Sequence, residues 1–227
     1  MLLVRLAVLV LAATVSTMST TANAGGRYLA LGDSYTIGEG VAPAERWPVQ
    51  LAARLRAAGV DIGDPAIVAT TGWTTDELSH AMDGATLAPP YALVTLLIGV
   101  NIQYRGRGLA NYREAFAALL ARAIALAGER TERVVVVSIP DWGVTGFARA
   151  HKRDPREVAI EIDAFNATAR EIARDRGVAF VDVTAISRSA GDAPDMLVGD
   201  RLHPSGAQYA RWTDAVLAAA RQSLVPR

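Results

Sequence analysis

Ser34 stands in Gly32-Asp33-Ser34-Tyr35, directly after a short apolar run, and Asp200 and His203 stand three residues apart in Asp200-Arg201-Leu202-His203-Pro204. A hydroxyl is a poor nucleophile at neutral pH until a base takes its proton. An imidazole serves as that base best when a carboxylate fixes its tautomer and stabilises the imidazolium. The spacing of Asp200 and His203 lets the carboxylate reach Nδ1 while Nε2 points outward toward a serine. Taken singly, each residue has a plainer use: Ser34 as a helix N-cap, Asp200 as another cap or a surface charge, His203 as a solvated loop residue before the last helix. Taken together they make the set that acyl transfer through a covalent serine intermediate requires.

The elements that must position this set alternate between short β-rich runs and longer segments of helical period, the pattern of β-α-β units and a parallel sheet covered by helices on both faces. Five strands are predicted, at Tyr28–Leu31, Ile67–Thr70, Leu93–Ile98, Val134–Ser138 and Ala179–Val183. The third and fourth are almost wholly apolar, as strands buried on both faces are. Two helices are clearly marked. One opens with Asp154 as N-cap and Pro155 at the first helical position, carries the stripe Val158, Ile162, Phe165, Ala169 and Ile172, and stops at Gly177. The other runs from Leu109 to Leu126 with Gly128 beyond it. Weaker helical signals cover Ala44–Ala58, Thr74–Met82 and Ser205–Ser223. The segments Gly32–Gly40, Thr71–Thr75, Gly99–Gly108, Pro140–Phe147 and Thr184–Pro204 follow strands and read as loops on one rim, where open parallel sheets bind ligands.

Composition narrows the function further. Arg5, the apolar run Leu6–Val15 and Ala22-Asn23-Ala24 read as a secretory signal peptide spanning residues 1–24, with cleavage after Ala24. The run is shorter than the roughly 20 residues of a spanning helix, and no second long apolar run follows, so no integral span is expected after cleavage. Residues 25–227 are then expected to form one domain, placed outside the cytoplasm, secreted or periplasmic. Acidic and basic residues balance at 23 each, leaving no electrostatic footprint for nucleic acid. Cysteine is absent, which excludes disulfides, thiolate metal sites and cysteine nucleophiles. Three histidines without ligand spacing call for no metal, and no cofactor is expected.

The chain resembles the GDSL esterases and lipases, also called SGNH hydrolases, through four blocks. Gly32-Asp33-Ser34-Tyr35 with Gly38 and Gly40 is similar to the block that holds the nucleophile. Gly72, in Thr70-Thr71-Gly72-Trp73-Thr74-Thr75, resembles the second block, whose glycine N–H faces the oxyanion. Asn101, in Gly99-Val100-Asn101, resembles the third, whose amide does the same. Asp200-Arg201-Leu202-His203 is similar to the last, which supplies acid and base. The resemblance implies a three-layer α/β/α sandwich on a mainly parallel five-stranded, flavodoxin-like sheet. It also implies Ser34, Asp200 and His203 as catalytic residues and an oxyanion hole of Ser34 N–H, Gly72 N–H and Asn101. One departure stands out. The third block commonly continues with aspartate, whereas Ile102 follows here, which bears on the loop's hydrogen bonding and on how the Asn101 amide is held.

Tyr35, Trp73 and Trp142 flank these blocks and suit either an acyl pocket or rim packing. His80 and His151 read as solvated. Arg105 and Arg107, set among glycines after Asn101, suit a solvated loop or contact with a polar leaving group. The expected partner is a small-molecule, lipid or carbohydrate ester, with oligomeric state left open. Thioester or lysophospholipid cleavage and acyl transfer would use the same residues. A non-catalytic ligand- or carbohydrate-binding protein is the alternative of another class. Nucleotide binding is disfavoured because Gly32, Gly38 and Gly40 do not make G-x-G-x-x-G and no P-loop lysine follows. An α/β-hydrolase elbow is disfavoured because Gly32-Asp33-Ser34 is not G-x-S-x-G.

Overall fold

The computed structural model describes residues 26–224; the expected leader lies outside them. Five strands, β1 (Gly26–Gly32), β2 (Ile62–Ala69), β3 (Leu93–Leu97), β4 (Val134–Val137) and β5 (Ala179–Val181), form one sheet in the order β2-β1-β3-β4-β5 with every pair parallel. β3 and β4 are buried along their whole length, which is why LVTLL and VVVV carry no alternation.

The helices divide between the two faces. α2 (Trp47–Ala57) and α9 (Gly206–Leu224) pack on each other, and between them they contact β2, β3, β4 and β5. α3 (Thr75–Gly84), α5 (Leu109–Leu126) and α7 (Pro155–Asp175) make the other layer, with α5 between its neighbours. α7 begins as its sequence announces: the Asp154 carboxylate accepts from the Arg156 N–H at 2.8 Å and Pro155 sits at the first position. Thr74 and Glu77 close a capping box at the start of α3. The result is the three-layer α/β/α arrangement expected. No helix among the described residues is long and apolar enough to cross a membrane.

The structure adds detail that periodicity does not reveal. α1 (Ser34–Ile37), α4 (Val100–Tyr104) and α8 (Thr184–Ala190) lie in segments expected to be rim loops, and α6 (Gly146–Ala150) begins in one. At four to seven residues, none is long enough to show a 3.6-residue repeat. β2 starts five residues earlier than the apolar run suggests. It is an edge strand with buried and exposed positions interleaved, and an edge accepts Pro65, whose missing N–H would break a central ladder. β5 ends at Val181, two residues early, because the Val183 N–H turns to the Ser138 hydroxyl and the Thr184 N–H to the Asp182 carboxylate.

Gly32 marks the tightest approach: a Cβ there would lie 2.5 Å from the Leu97 carbonyl oxygen of the neighbouring strand and would run into Thr36. Gly84, at the end of α3, has nothing within 4 Å of the same position. Gly32→Ala should therefore lower stability by about 3 kcal/mol or prevent folding. Gly84→Ala should raise it by about 0.5–1 kcal/mol. Urea unfolding of the two variants checks this, and equal effects would contradict the packing described.

Candidate active site

Ser34 opens α1 immediately beyond β1. The N-cap is Asp33 rather than Ser34, since its carboxylate accepts from the Tyr35 N–H at 3.1 Å, so the serine hydroxyl is free of capping. Ser34 is 4 % exposed and His203 7 %. Both line a cavity of about 150 Å³ together with Tyr35, Gly72, Asn101 and Trp142 and with Thr71, Val100, Tyr104, Phe147 and Leu202. Ser34 Oγ and His203 Nε2 have no protein hydrogen-bond partner among the described residues, and both are borne by residues of that cavity wall.

Asp200 and His203 share one turn between α8 and α9. The Asp200 carboxylate meets Nδ1 of His203 at 2.5 Å with one oxygen, while the other accepts from the Leu202 and His203 N–H groups at 2.8 and 3.0 Å. Partial burial works against the charged carboxylate. The imidazole and the two N–H donors outweigh it and hold Asp200 below the usual carboxylate range. Arg201, between them, has φ +56°, a left-handed conformation that costs energy for a side-chain-bearing residue. Its surroundings hold it there: its carbonyl accepts from the Phe147 N–H at 3.0 Å, its N–H reaches the Val198 carbonyl at 2.9 Å, and its guanidinium pairs with Asp192, which also binds Arg149. The Tyr35 ring packs 5.6 Å from the imidazole and 6.0 Å from Trp212, closing the floor behind His203.

Three residues that line the cavity, Ser34, Gly72 and Asn101, carry N–H donors. The Ser34 N–H and the Gly72 N–H have no protein acceptor among the described residues. Asn101 spends one amide N–H on the Trp73 carbonyl at 2.9 Å, which leaves the other. Gly72 holds φ +86°, so a glycine is required for the N–H to be presented this way.

Trp142 and Tyr35 lie on the cavity wall. Trp73 is not among its lining residues; its ring packs against the core and its carbonyl takes the Asn101 amide. His80 and His151 are exposed, the latter stacked on Phe147 at 3.9 Å. The sequence reading did not single out Tyr104, Phe147, Val100 and Leu202, although an aromatic residue in a rim loop was the available signal for the first two. Trp142 is locked by its indole N–H to Gln103 at 2.8 Å and by Gln103 in turn to Glu161 at 2.5 Å. Among the described residues no His, Asp and Glu cluster is arranged to hold a metal ion.

Asp33 is fully buried, and one of its carboxylate oxygens has no hydrogen-bond partner. Burial, only partly offset by the Tyr35 N–H, pushes its pKa up to about 7. Since the folded value is raised, ionising Asp33 opposes folding: the penalty is absent below the unfolded pKa near 4, grows as pH rises toward about 7, and is constant above. Asp33→Asn retains an N-cap and should gain on the parent protein across that window, by a few kcal/mol (on the order of 1.4 per pH unit), and no further above it. Urea unfolding from pH 4 to 9 measures this; a pH-independent difference between the two proteins would contradict it.

A sequence model described as the GDSL-like lipase/acylhydrolase family matches residues 30–211. No curated protein sequence matches the chain. Solved structures with the same fold include TesA, at 21 % identity and TM-score 0.69 over 87 % of this chain and 99 % of that one. A lipase/acylhydrolase from Enterococcus faecalis is similar at 21 % identity and TM-score 0.67, covering 88 % and 98 %. Axe2, an acetylxylan esterase from Geobacillus stearothermophilus, is similar at 20 % identity and TM-score 0.66, covering 86 % and 94 %.

Proposed function

Because the chain belongs to the GDSL-like lipase/acylhydrolase family, we propose that it is an exported carboxylic ester hydrolase that works through an acyl-enzyme on Ser34. The observation that carries the reading is the oriented Asp200–His203 pair on the same small cavity as Ser34 and three unspent N–H donors.

Ser34 Oγ attacks the ester carbonyl carbon while His203 Nε2 takes its proton. Asp200 keeps Nδ1 protonated and stabilises the imidazolium. The carbonyl oxygen becomes an oxyanion and receives the Ser34 N–H, the Gly72 N–H and the second amide N–H of Asn101. Collapse of this intermediate breaks the bond to the alcohol, which leaves with the proton from His203. Water then attacks the acyl-enzyme by the same route, releasing the carboxylic acid and restoring Ser34. The serine and histidine meet in a productive hydrogen bond when substrate fills the cavity, since such bonds tighten on forming the Michaelis complex.

The substrate reading follows from the wall. Tyr104, Trp142, Phe147, Val100 and Leu202 make it apolar, and about 150 Å³ is the size of a cavity that admits benzene. An acyl group of roughly six carbons fits that space. Export rests on the leader of residues 1–24, with the mature chain beginning at Gly25.

On p-nitrophenyl esters from acetyl to palmitoyl, kcat/KM should peak at about four to six acyl carbons and fall steeply beyond. Ser34→Ala or His203→Ala should cost at least about 10³-fold in kcat, and Asn101→Ala about 10²- to 10³-fold. Flat inactivity of folded protein on every ester would refute the proposal. Quantifying free acid when an alcohol acceptor is present separates hydrolysis from acyl transfer.

A further inference from the structure

We infer that Arg105 is a positioning residue that holds the oxyanion donor at Gly72; the inference rests on the acyl-transfer reading above. The turn that carries Gly72, between β2 and α3, is weakly closed by itself. Its Trp73 N–H reaches the Thr70 carbonyl only at 3.3 Å, and Gly72 has no side chain to limit its torsions.

The ties come from across the cavity. The Asn101 amide holds the Trp73 carbonyl at 2.9 Å, and Arg105 Nη2 holds the Gly72 carbonyl at 2.6 Å. Two successive carbonyls are thus pinned, which fixes the Gly72–Trp73 and Trp73–Thr74 peptide planes and so restricts how far the turn carrying the Gly72 N–H can move. The second arm of the guanidinium, Nη1, reaches Glu77 Oε1 at 3.2 Å, and Glu77 Oε2 accepts from the Thr74 N–H at 2.8 Å. Arg105 therefore spans from the donor's own residue to the cap of α3, which only a planar, forked cation does.

Ile102 lends the turn no support. It follows Asn101, points into the core and is fully buried, so it offers no polar tie to the turn. Arg105, beyond the end of α4, supplies a charge-assisted bond to it. Arg107 supplies an internal comparison. It belongs to the same exposed loop and pairs with Asp76 at 2.9 Å, but it has no hydrogen bond to the backbone of the turn. As exposed ion pairs, the two contribute little to stability. What separates them is the carbonyl of Gly72.

The test is steady-state kinetics on the best p-nitrophenyl ester for the parent, Arg105→Ala, Arg105→Lys, Arg107→Ala and Ser34→Ala, with thermal midpoints for each. A donor that acts on the oxyanion appears in kcat rather than KM. Arg105→Ala should lose about 10- to 100-fold in kcat with KM within about twofold and with a melting temperature close to that of Arg107→Ala. Arg105→Lys should recover part of the loss, because an ammonium can donate to one carbonyl but cannot also span to Glu77. Arg107→Ala should match the parent. If Arg105→Ala keeps the parental kcat, raises KM alone, or loses no more than Arg107→Ala, the inference is overturned. An active parent silenced by Ser34→Ala establishes the hydrolase reading independently of that result, whereas an inactive parent overturns both.

Discussion

The parallel pairing of β1 with β2 on one side and β3 on the other is the constraint on which the site depends. In that register Gly32 lies opposite Ala69 and Leu97. Ser34, Gly72 and Asn101 then follow two, three and four residues beyond a single row of the sheet. β1 is also where strand order reverses, so the chains leaving β1 and β3 diverge to opposite faces and leave a crevice between them. Gly32 permits the close packing this needs, because its missing Cβ lets the Leu97 carbonyl approach. The parallel register thus brings the three residues that carry these N–H donors to the wall of one cavity.

Asp200 and His203 arrive differently. They belong to a turn between α8 and α9, and their position is set by contacts that hold the turn down. A bridge joins Leu197 to Pro204, the Val198 N–H donates to the His203 carbonyl at 2.9 Å, and α9 anchors the following residues against α2 and the sheet. The strained conformation of Arg201 is sustained by α6 and Asp192. Asp200 and His203 are thus coupled to each other locally but to Ser34 only through the fold. Asp33 fits the same logic, since its buried side chain caps α1 and leaves the neighbouring Ser34 hydroxyl unused.

How far this was legible in the sequence depended on the range of the interaction. The strands announced themselves by apolar content, most plainly at Val134–Val137, where burial on both faces removes alternation. The first half of β2 did not, because Asp64 and Pro65 look like a turn until the strand is known to lie at an edge. Asp200 and His203 could be paired on paper because they are three residues apart, and Ser34 could be assigned by type and context. The walls were harder: Tyr104 and Phe147 meet Trp142 only through the tertiary packing of α4 and α6, with ring centroids 5.4 and 6.2 Å from it. Arg105 could be read as a solvated loop cation or a contact for a polar leaving group but not as a tie to the turn, since the carbonyl it holds is 33 residues away.

The central claim is that one alcohol, Ser34, is made nucleophilic by one imidazole, and covalent labelling tests it most directly. Folded protein treated with a fluorophosphonate and digested for mass spectrometry should carry a single adduct, on the peptide containing Ser34, formed far more slowly in His203→Gln. Failure of the folded parent to label, labelling at another residue, or undiminished labelling of Ser34 in His203→Gln would contradict the account.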